Sequence, residues 1–268
     1  TTAPATHENT RKRVPMTDTL LLTGASSGIG RSLAHHLSDD YHVVALSRRI
    51  ERMEAAFEDE PNITPYELDL TDVEAIRERL QEIRDTHGNP SYLINNAGLN
   101  VGSKILELDP EQVLRSLRVN ALAPIVLLQE TIPGMLASDF GRVINVTSGA
   151  PLNCPEGAGP YSSSKAALNT LTVTAANEWA DDNIKINLMS PGPCRTEMAP
   201  DGPLDPAACH PTVDYLLDLD RDGPTGRFFW LGYEVPLFPD LGDVRWMEGI
   251  GSEQMTRVLD REPYRPEA

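Results

Sequence analysis

Three side chains in the middle of the chain have the makings of proton chemistry. Ser148 closes the apolar run 143–147, Tyr161 follows a Pro/Gly-rich loop, and Lys165 stands four residues further on. Four residues make about one helical turn, so a helix beginning near Tyr161 sets the phenol and the ammonium on one face. An unperturbed phenol has a pKa of about 10, too high for efficient proton exchange near neutrality. A neighbouring ammonium favours the phenolate and is expected to lower that value. Ser148 is placed to hold a substrate oxygen beside the phenol. Tyr-x-x-x-Lys pairs are also common on solvated helix surfaces, so the reading depends on what surrounds this one.

The surrounding elements alternate. Leu20-Leu21-Leu22 reads as a buried strand, then Thr23-Gly24-Ala25-Ser26-Ser27-Gly28-Ile29-Gly30, then a helical run through Leu33, Ala34 and Leu37. A glycine turn between a strand and a helix lets a pyrophosphate approach the backbone and the free N–H groups of the helix start. A second strand, 43–46, ends in Ser47-Arg48-Arg49 and precedes a helix over 49–60. An acid there would hold ribose hydroxyls, whereas an arginine suits a 2′-phosphate. The third strand, 64–68, leads into Asp69-Leu70, and Thr71 with Glu74 reads as a capping box. Strands over 92–94, 142–147 and 184–188 close on Asn95-Asn96-Ala97-Gly98, on Ser148 and on Ser190-Pro191-Gly192. Asp109-Pro110 opens a helical region that carries Asn120 and is interrupted at Pro124. The segment 193–212 reads as a flap, Asp205-Pro206 as the start of a helix to 219, and 226–230 as a last strand.

This alternation predicts an α/β fold: a doubly wound, mainly parallel sheet of about seven strands, with helices on both faces, in a single domain. The candidate residues each follow a strand, which brings them to one sheet edge. Residues 1–15 read as a flexible N-terminal tail, 16–233 as a dinucleotide-binding domain that includes the catalytic site, and 234–268 as a C-terminal extension.

The 268 residues carry a formal net charge of -17, from 23 basic and 40 acidic side chains. That balance argues against nucleic acid as a partner. No apolar run approaches the roughly 20 residues of a bilayer span, so no membrane is expected. The three scattered cysteines and six ungrouped histidines suggest neither a disulfide framework nor a metal site, and point to a cytoplasmic setting. The acidic surface, with only four lysines, fits either salt adaptation or a compositional bias.

Taken together the sequence resembles the short-chain dehydrogenase/reductase family, in its carbonyl-reductase-like branch. The resemblance covers about 19–229 and rests on Thr23-Gly24-x-x-x-Gly28-x-Gly30, Asp69, Asn95-Asn96-Ala97-Gly98, Asn120, Ser148, Tyr161-x-x-x-Lys165 and Pro191-Gly192 with Thr196. It implies a Rossmann-type fold and hydride transfer between a nicotinamide cofactor and a small carbonyl or alcohol. Tyr161 would be the general acid/base, and Ser148 would bind the substrate oxygen with it. Lys165 would tune the phenol and hold the nicotinamide ribose, and Asn120 would anchor a water relay. The cofactor would meet Gly24, Ser26, Ser27, Gly28, Ile29 and Gly30, with Asp69 and Leu70 at the adenine. Asn96, Ala97 and Gly98, together with Pro191, Gly192, Cys194 and Thr196, would line its remaining length. Arg48 and Arg49 favour NADP over NAD. The family implies a homodimer or homotetramer. A lyase or epimerase on the same fold, and a cofactor-binding regulatory protein without turnover, are the alternatives.

Overall fold

The computed structural model describes residues 18–239 and Gln254. The expected tail at 1–15 lies outside the described residues, as does nearly all of the expected extension beyond 239. The chain divides into two units, Thr1–Val235 and Pro236–Ala268, and the sheet and its helices all belong to the first.

Eight strands form one sheet: β1 (Thr19–Thr23), β2 (His42–Ser47), β3 (Ile63–Glu67), β4 (Tyr92–Asn95), β5 (Gly141–Val146), β6 (Ile184–Ser190), β7 (Phe228–Trp230) and β8 (Tyr233–Val235). Their order is β3-β2-β1-β4-β5-β6-β7-β8. The first seven strands in chain order run parallel, and β8 pairs antiparallel with β7. The sequence reading stops at seven strands because the β7–β8 turn carries no recognisable signal. Leu231 and Gly232 both take positive φ, 45° and 83°. Such a two-residue turn suits a hairpin, but a leucine rarely adopts that geometry. Pro65 sits inside β3 without harm because β3 is the edge strand.

The helices on one face are α1 (Gly28–Leu37), α2 (Ile50–Ala56) and α8 (His210–Leu217). On the other are α3 (Val73–His87), α5 (Ala123–Ala137) and α7 (Gly159–Glu178). A single turn, α6 (Ala150–Asn153), lies between β5 and α7. Strand residues alternate between the two layers. Leu20 and Leu22 join Leu33, Leu37, Met53 and Leu216 on the first face; Leu21 joins Ile76, Leu80, Leu127 and Ile132 on the second. The central strands are therefore apolar at nearly every position, as a sheet covered on both faces requires.

The short α4 (Pro110–Leu117) is capped as expected, with Asp109 accepting from Glu111 N at 3.0 Å. It continues through a π-helical turn, Arg118–Leu122, into α5. Pro124 falls in the first turn of α5, where its missing N–H costs little, so the interruption is a wide turn ahead of it rather than a break. The stretch Pro110–Ala137 is, among the described residues, the one helix long and apolar enough to cross a membrane. Its apolar window is 56% buried inside the protein.

Two local readings change. The cap of α3 is Asp72, whose Oδ1 accepts from Glu74 N and Ala75 N. Thr71 instead donates its hydroxyl to Asp69 Oδ1 at 2.9 Å. Asp205 caps a 3-10 turn, Pro206–Cys209, and α8 starts only at His210.

Candidate active site

β1 and β4 are neighbours at the point where the strand order reverses, which opens a crevice beyond their carboxyl ends. Side-chain bonds staple the two loops there. Thr23 Oγ1 accepts from Asn96 N and Ala97 N, both at 3.0 Å, and Asn96 Nδ2 donates to Thr23 O at 2.9 Å. The loops after β1, β2, β3, β4, β5 and β6 together enclose a cavity of about 530 Å³. Arg48 and Asp69 lie toward the β2–β3 side, and Tyr161 and Lys165 toward the β5–β6 side.

The glycine turn has the shape a dinucleotide needs. Gly24 takes φ 72°, and a Cβ there would lie 2.8 Å from Ala97 Cα; one at Gly30 would lie 2.2 Å from Gly24 O. Ser27, at the N-cap of α1, makes no side-chain cap hydrogen bond. The first N–H groups of α1 are therefore open to an anion from the cavity, where the helix dipole favours negative charge. The residues present fit a nicotinamide dinucleotide along this crevice.

At the other end, Tyr161 and Lys165 stand one turn apart on α7, and both line the cavity. The Lys165 ammonium is buried and donates to Val146 O at 2.7 Å. Burial lowers its pKa to about 8. Burial likewise raises the Tyr161 phenol above its ordinary value, and a hydrogen bond with Ser148 opposes the rise. The expected lowering of the phenol pKa by Lys165 is thus not what the structure has. Desolvation dominates, and the ammonium is turned to the β5 carbonyl. A phenol that keeps its proton is equipped to donate it to an oxygen lodged against it. Ser148 Oγ also accepts from Ala150 N at 3.1 Å, which fixes the hydroxyl.

Asn120 lies fully buried in the π turn. Its carboxamide bonds Leu99 N and Leu99 O and donates to Ser164 Oγ at 2.9 Å. It therefore fixes the loop after β4 against α7.

Residues 18–205 match the short chain dehydrogenase family. The chain belongs to that family. Among its relatives is a dehydrogenase/reductase SDR family protein 7-like of Anopheles gambiae, 31% identical over 67% of this chain and 60% of that protein. Another is carbonyl reductase family member 4 of Xenopus laevis, 30% identical over 66% of this chain and 76% of that one. The chain thus spans less than two thirds of the mosquito relative. A metagenomic short-chain oxidoreductase in complex with NADP superposes with TM-score 0.72 at 26% identity, covering 80% of this chain and 96% of that one. A 4-hydroxyisoleucine dehydrogenase complexed with NADH gives TM-score 0.70 at 28% identity, with the same coverage.

In this short-chain dehydrogenase most residues singled out from the sequence face the cavity: the glycine turn, Arg48, Arg49, Asp69, Leu70, Asn96 to Gly98, Tyr161, Lys165, Pro191 and Thr196. Asn120 and Ser148 stand behind it, touching what lines it. Gly192 and Cys194 are not brought to its wall. Gly192 takes φ 78° and faces Leu204, Leu231 and Trp230, and the buried Cys194 thiol donates to Pro191 O. Arg115, Val119 and Leu99 also line the cavity and carry no local signal. Glu197 and Met198 could be found only as the continuation of the Thr196 segment. Burial raises the Asp69 carboxyl, but the Thr71 donors, Arg48 and Arg115 together bring it below its usual value. Among the described residues no hydrogen bond or ion pair holds the Arg48 guanidinium, whereas Arg49 is tied on three sides.

Proposed function

We infer that this short-chain dehydrogenase is an NADP(H)-dependent oxidoreductase that interconverts a small carbonyl compound and an alcohol, with Tyr161 as general acid/base. The observation that carries the reading is the half-buried Tyr161 phenol, one helical turn from the buried Lys165 ammonium and in the same cavity as the glycine turn. A bound nicotinamide would supply or take up the hydride. Tyr161 Oη would give its proton to the carbonyl oxygen during reduction and recover it during oxidation. Ser148 Oγ would hold the same oxygen and stabilise charge that develops on it. Lys165 would hold the ribose side of the cofactor from its place beside the β5 carbonyl. Asn120 keeps the loop 96–99 in register with α7, so that the cofactor and the phenol are presented together.

The choice of NADP rests on the corner after β2. Ser47-Arg48-Arg49 offers no carboxylate of its own, and Arg48 is free to meet a 2′-phosphate with charge-assisted hydrogen bonds. The NADP complex of a similar oxidoreductase supports this; the NADH complex of another shows that likeness of fold alone does not set the choice. We take the protein to work in the cytoplasm as a homo-oligomer on a small molecule, without nucleic acid or membrane.

The test is turnover on a panel of ketones, aldehydes and secondary alcohols, followed through nicotinamide absorbance with each cofactor. Activity with a phosphorylated-cofactor preference is expected. Tight cofactor binding with no turnover across the panel would overturn the enzymatic reading.

A further inference from the structure

A carboxylate from the loop after β6 stands among the arginines at the ribose end of the crevice. Glu197 lies on the loop after β6, next to Thr196 and Met198. Its Oε2 accepts from Arg49 Nη1 at 3.0 Å, and its Oε1 pairs with Arg52 Nη2. Arg49 spends the rest of its fork on the glycine turn, with Nε donating to Ser26 Oγ at 3.0 Å and Nη2 to Ser27 Oγ at 2.8 Å. One guanidinium therefore joins the glycine turn, the start of α2 and the loop after β6. The two arginines, Arg52 foremost, hold the Glu197 carboxyl below its ordinary value. Two guanidiniums around one anion is also the arrangement that grips a phosphate.

The same loop reaches both ends of the site. Thr196 packs on the glycine turn, since a Cβ at Gly28 would lie 3.0 Å from its Cγ2. Met198 lines the cavity with Lys165, and its Cε lies 4.0 Å from where a Gly98 Cβ would be. The loop closes on itself through Arg195 N to Leu204 O and the paired bonds of Thr196 and Ala199.

We propose that Glu197 is a carboxylate latch that competes with a ribose 2′-phosphate for Arg49, so that a 2′-phosphorylated nucleotide releases the loop over 193–204 and the latch limits the preference for that phosphate. The proposal rests on the NADP(H) reading. A phosphate dianion and a carboxylate repel each other, and both ask for the same donors. Binding the phosphate thus requires Glu197 to move or to stay at a cost in affinity. The pairs are half-exposed, so the competition is modest and screened by salt.

Calorimetric titration of the parent and of Glu197→Gln with adenosine 2′,5′-bisphosphate and with AMP reads the latch directly, without turnover. The substitution should tighten the bisphosphate about threefold to tenfold and leave AMP unchanged, with the gain shrinking in molar salt. Amide hydrogen exchange over 193–204 in the parent should quicken on adding the bisphosphate and not on adding AMP. A bisphosphate-to-AMP affinity ratio unaltered by Glu197→Gln overturns the latch, whatever the parent's own ratio. Unaltered exchange in the loop overturns the release. A parent that binds the two nucleotides equally instead overturns the NADP(H) preference, and in that case a ratio that rises in Glu197→Gln still upholds the latch.

Discussion

The carboxamide of Asn120 closes a pair of hydrogen bonds with the backbone of Leu99, Oδ1 accepting from N at 2.7 Å and Nδ2 donating to O at 2.8 Å. The two residues are 21 positions apart, and the π turn at Arg118–Leu122 carries Asn120 between the loop after β4 and α7. Asn120→Ala leaves both Leu99 groups without this partner and leaves Ser164 Oγ with only its bond to Tyr161 O. It should lower stability by about 1–3 kcal/mol, and the loosened loop should weaken nucleotide binding. Denaturant unfolding and nucleotide titration of the variant check this; unchanged values in both would show that the clamp does not matter.

Tyr161→Phe removes one oxygen and keeps the ring packing. Turnover should fall by about 10²–10⁴-fold, the usual range for a general acid/base, while cofactor affinity is retained. A variant with a rate near that of the parent would remove Tyr161 from the chemistry.

Lys165 makes stability depend on pH. Its ammonium has an ordinary pKa of 10.5 and a folded-state value of about 8. Between those values the unfolded chain binds a proton that the folded protein has released, so stability rises with pH across that window. The contribution is complete above 10.5 and is lost as pH falls through 8. Lys165→Met has no such group, so the parent-minus-variant difference in unfolding free energy should rise from pH 8 to pH 10.5. A flat difference would mean that the ammonium is solvated. The same substitution should also weaken both turnover and cofactor binding.

Arg48 faces the cavity from the end of β2, and Arg49 is already tied to Ser26, Ser27 and Glu197. Arg48→Ala should cut the ratio of catalytic efficiencies with NADP and NAD by about one to two decades, the value of one charge-assisted bond. Arg49→Ala should lower affinity for both cofactors, because it unties the glycine turn, and for NADP the more, because it removes the donor that Glu197 and the 2′-phosphate share. If Arg48→Ala leaves the ratio untouched, the phosphate contact belongs elsewhere.

Arg142 is among the largest fully buried side chains. Its guanidinium donates to Leu219 O, Gly141 O, Asn183 O and Asn183 Oδ1, and lies 4.3 Å from the Phe140 ring centroid. Arg142→Met takes the guanidinium donors from Leu219 O and Gly141 O and should cost about 2–4 kcal/mol, with activity intact in the folded fraction. Thermal and denaturant unfolding measure the loss; a Tm equal to the parent's would contradict it.

Sequence alone determined the elements whose causes are local. Apolar runs too short for helices gave the parallel strands, glycines between a strand and a helix gave the dinucleotide turn, and the Tyr161–Lys165 spacing gave one helix face. Asp109 before Pro110 marked its cap correctly because cap chemistry acts over about three residues. Tertiary structure decided whatever depended on partners distant along the chain. Asp72 took the α3 cap once Asp69 had claimed Thr71. The hairpin to β8 needed Leu231 at positive φ, a strain that only pairing with β7 sustains. The direction of the Tyr161 shift followed from desolvation of the phenol by the surrounding fold, which spacing does not reveal. Which arginine stands free and which is engaged was set by Glu197, 148 residues beyond Arg49 in the chain. Charges act through space, and a linear order of residues records only the contacts that are also close in the chain.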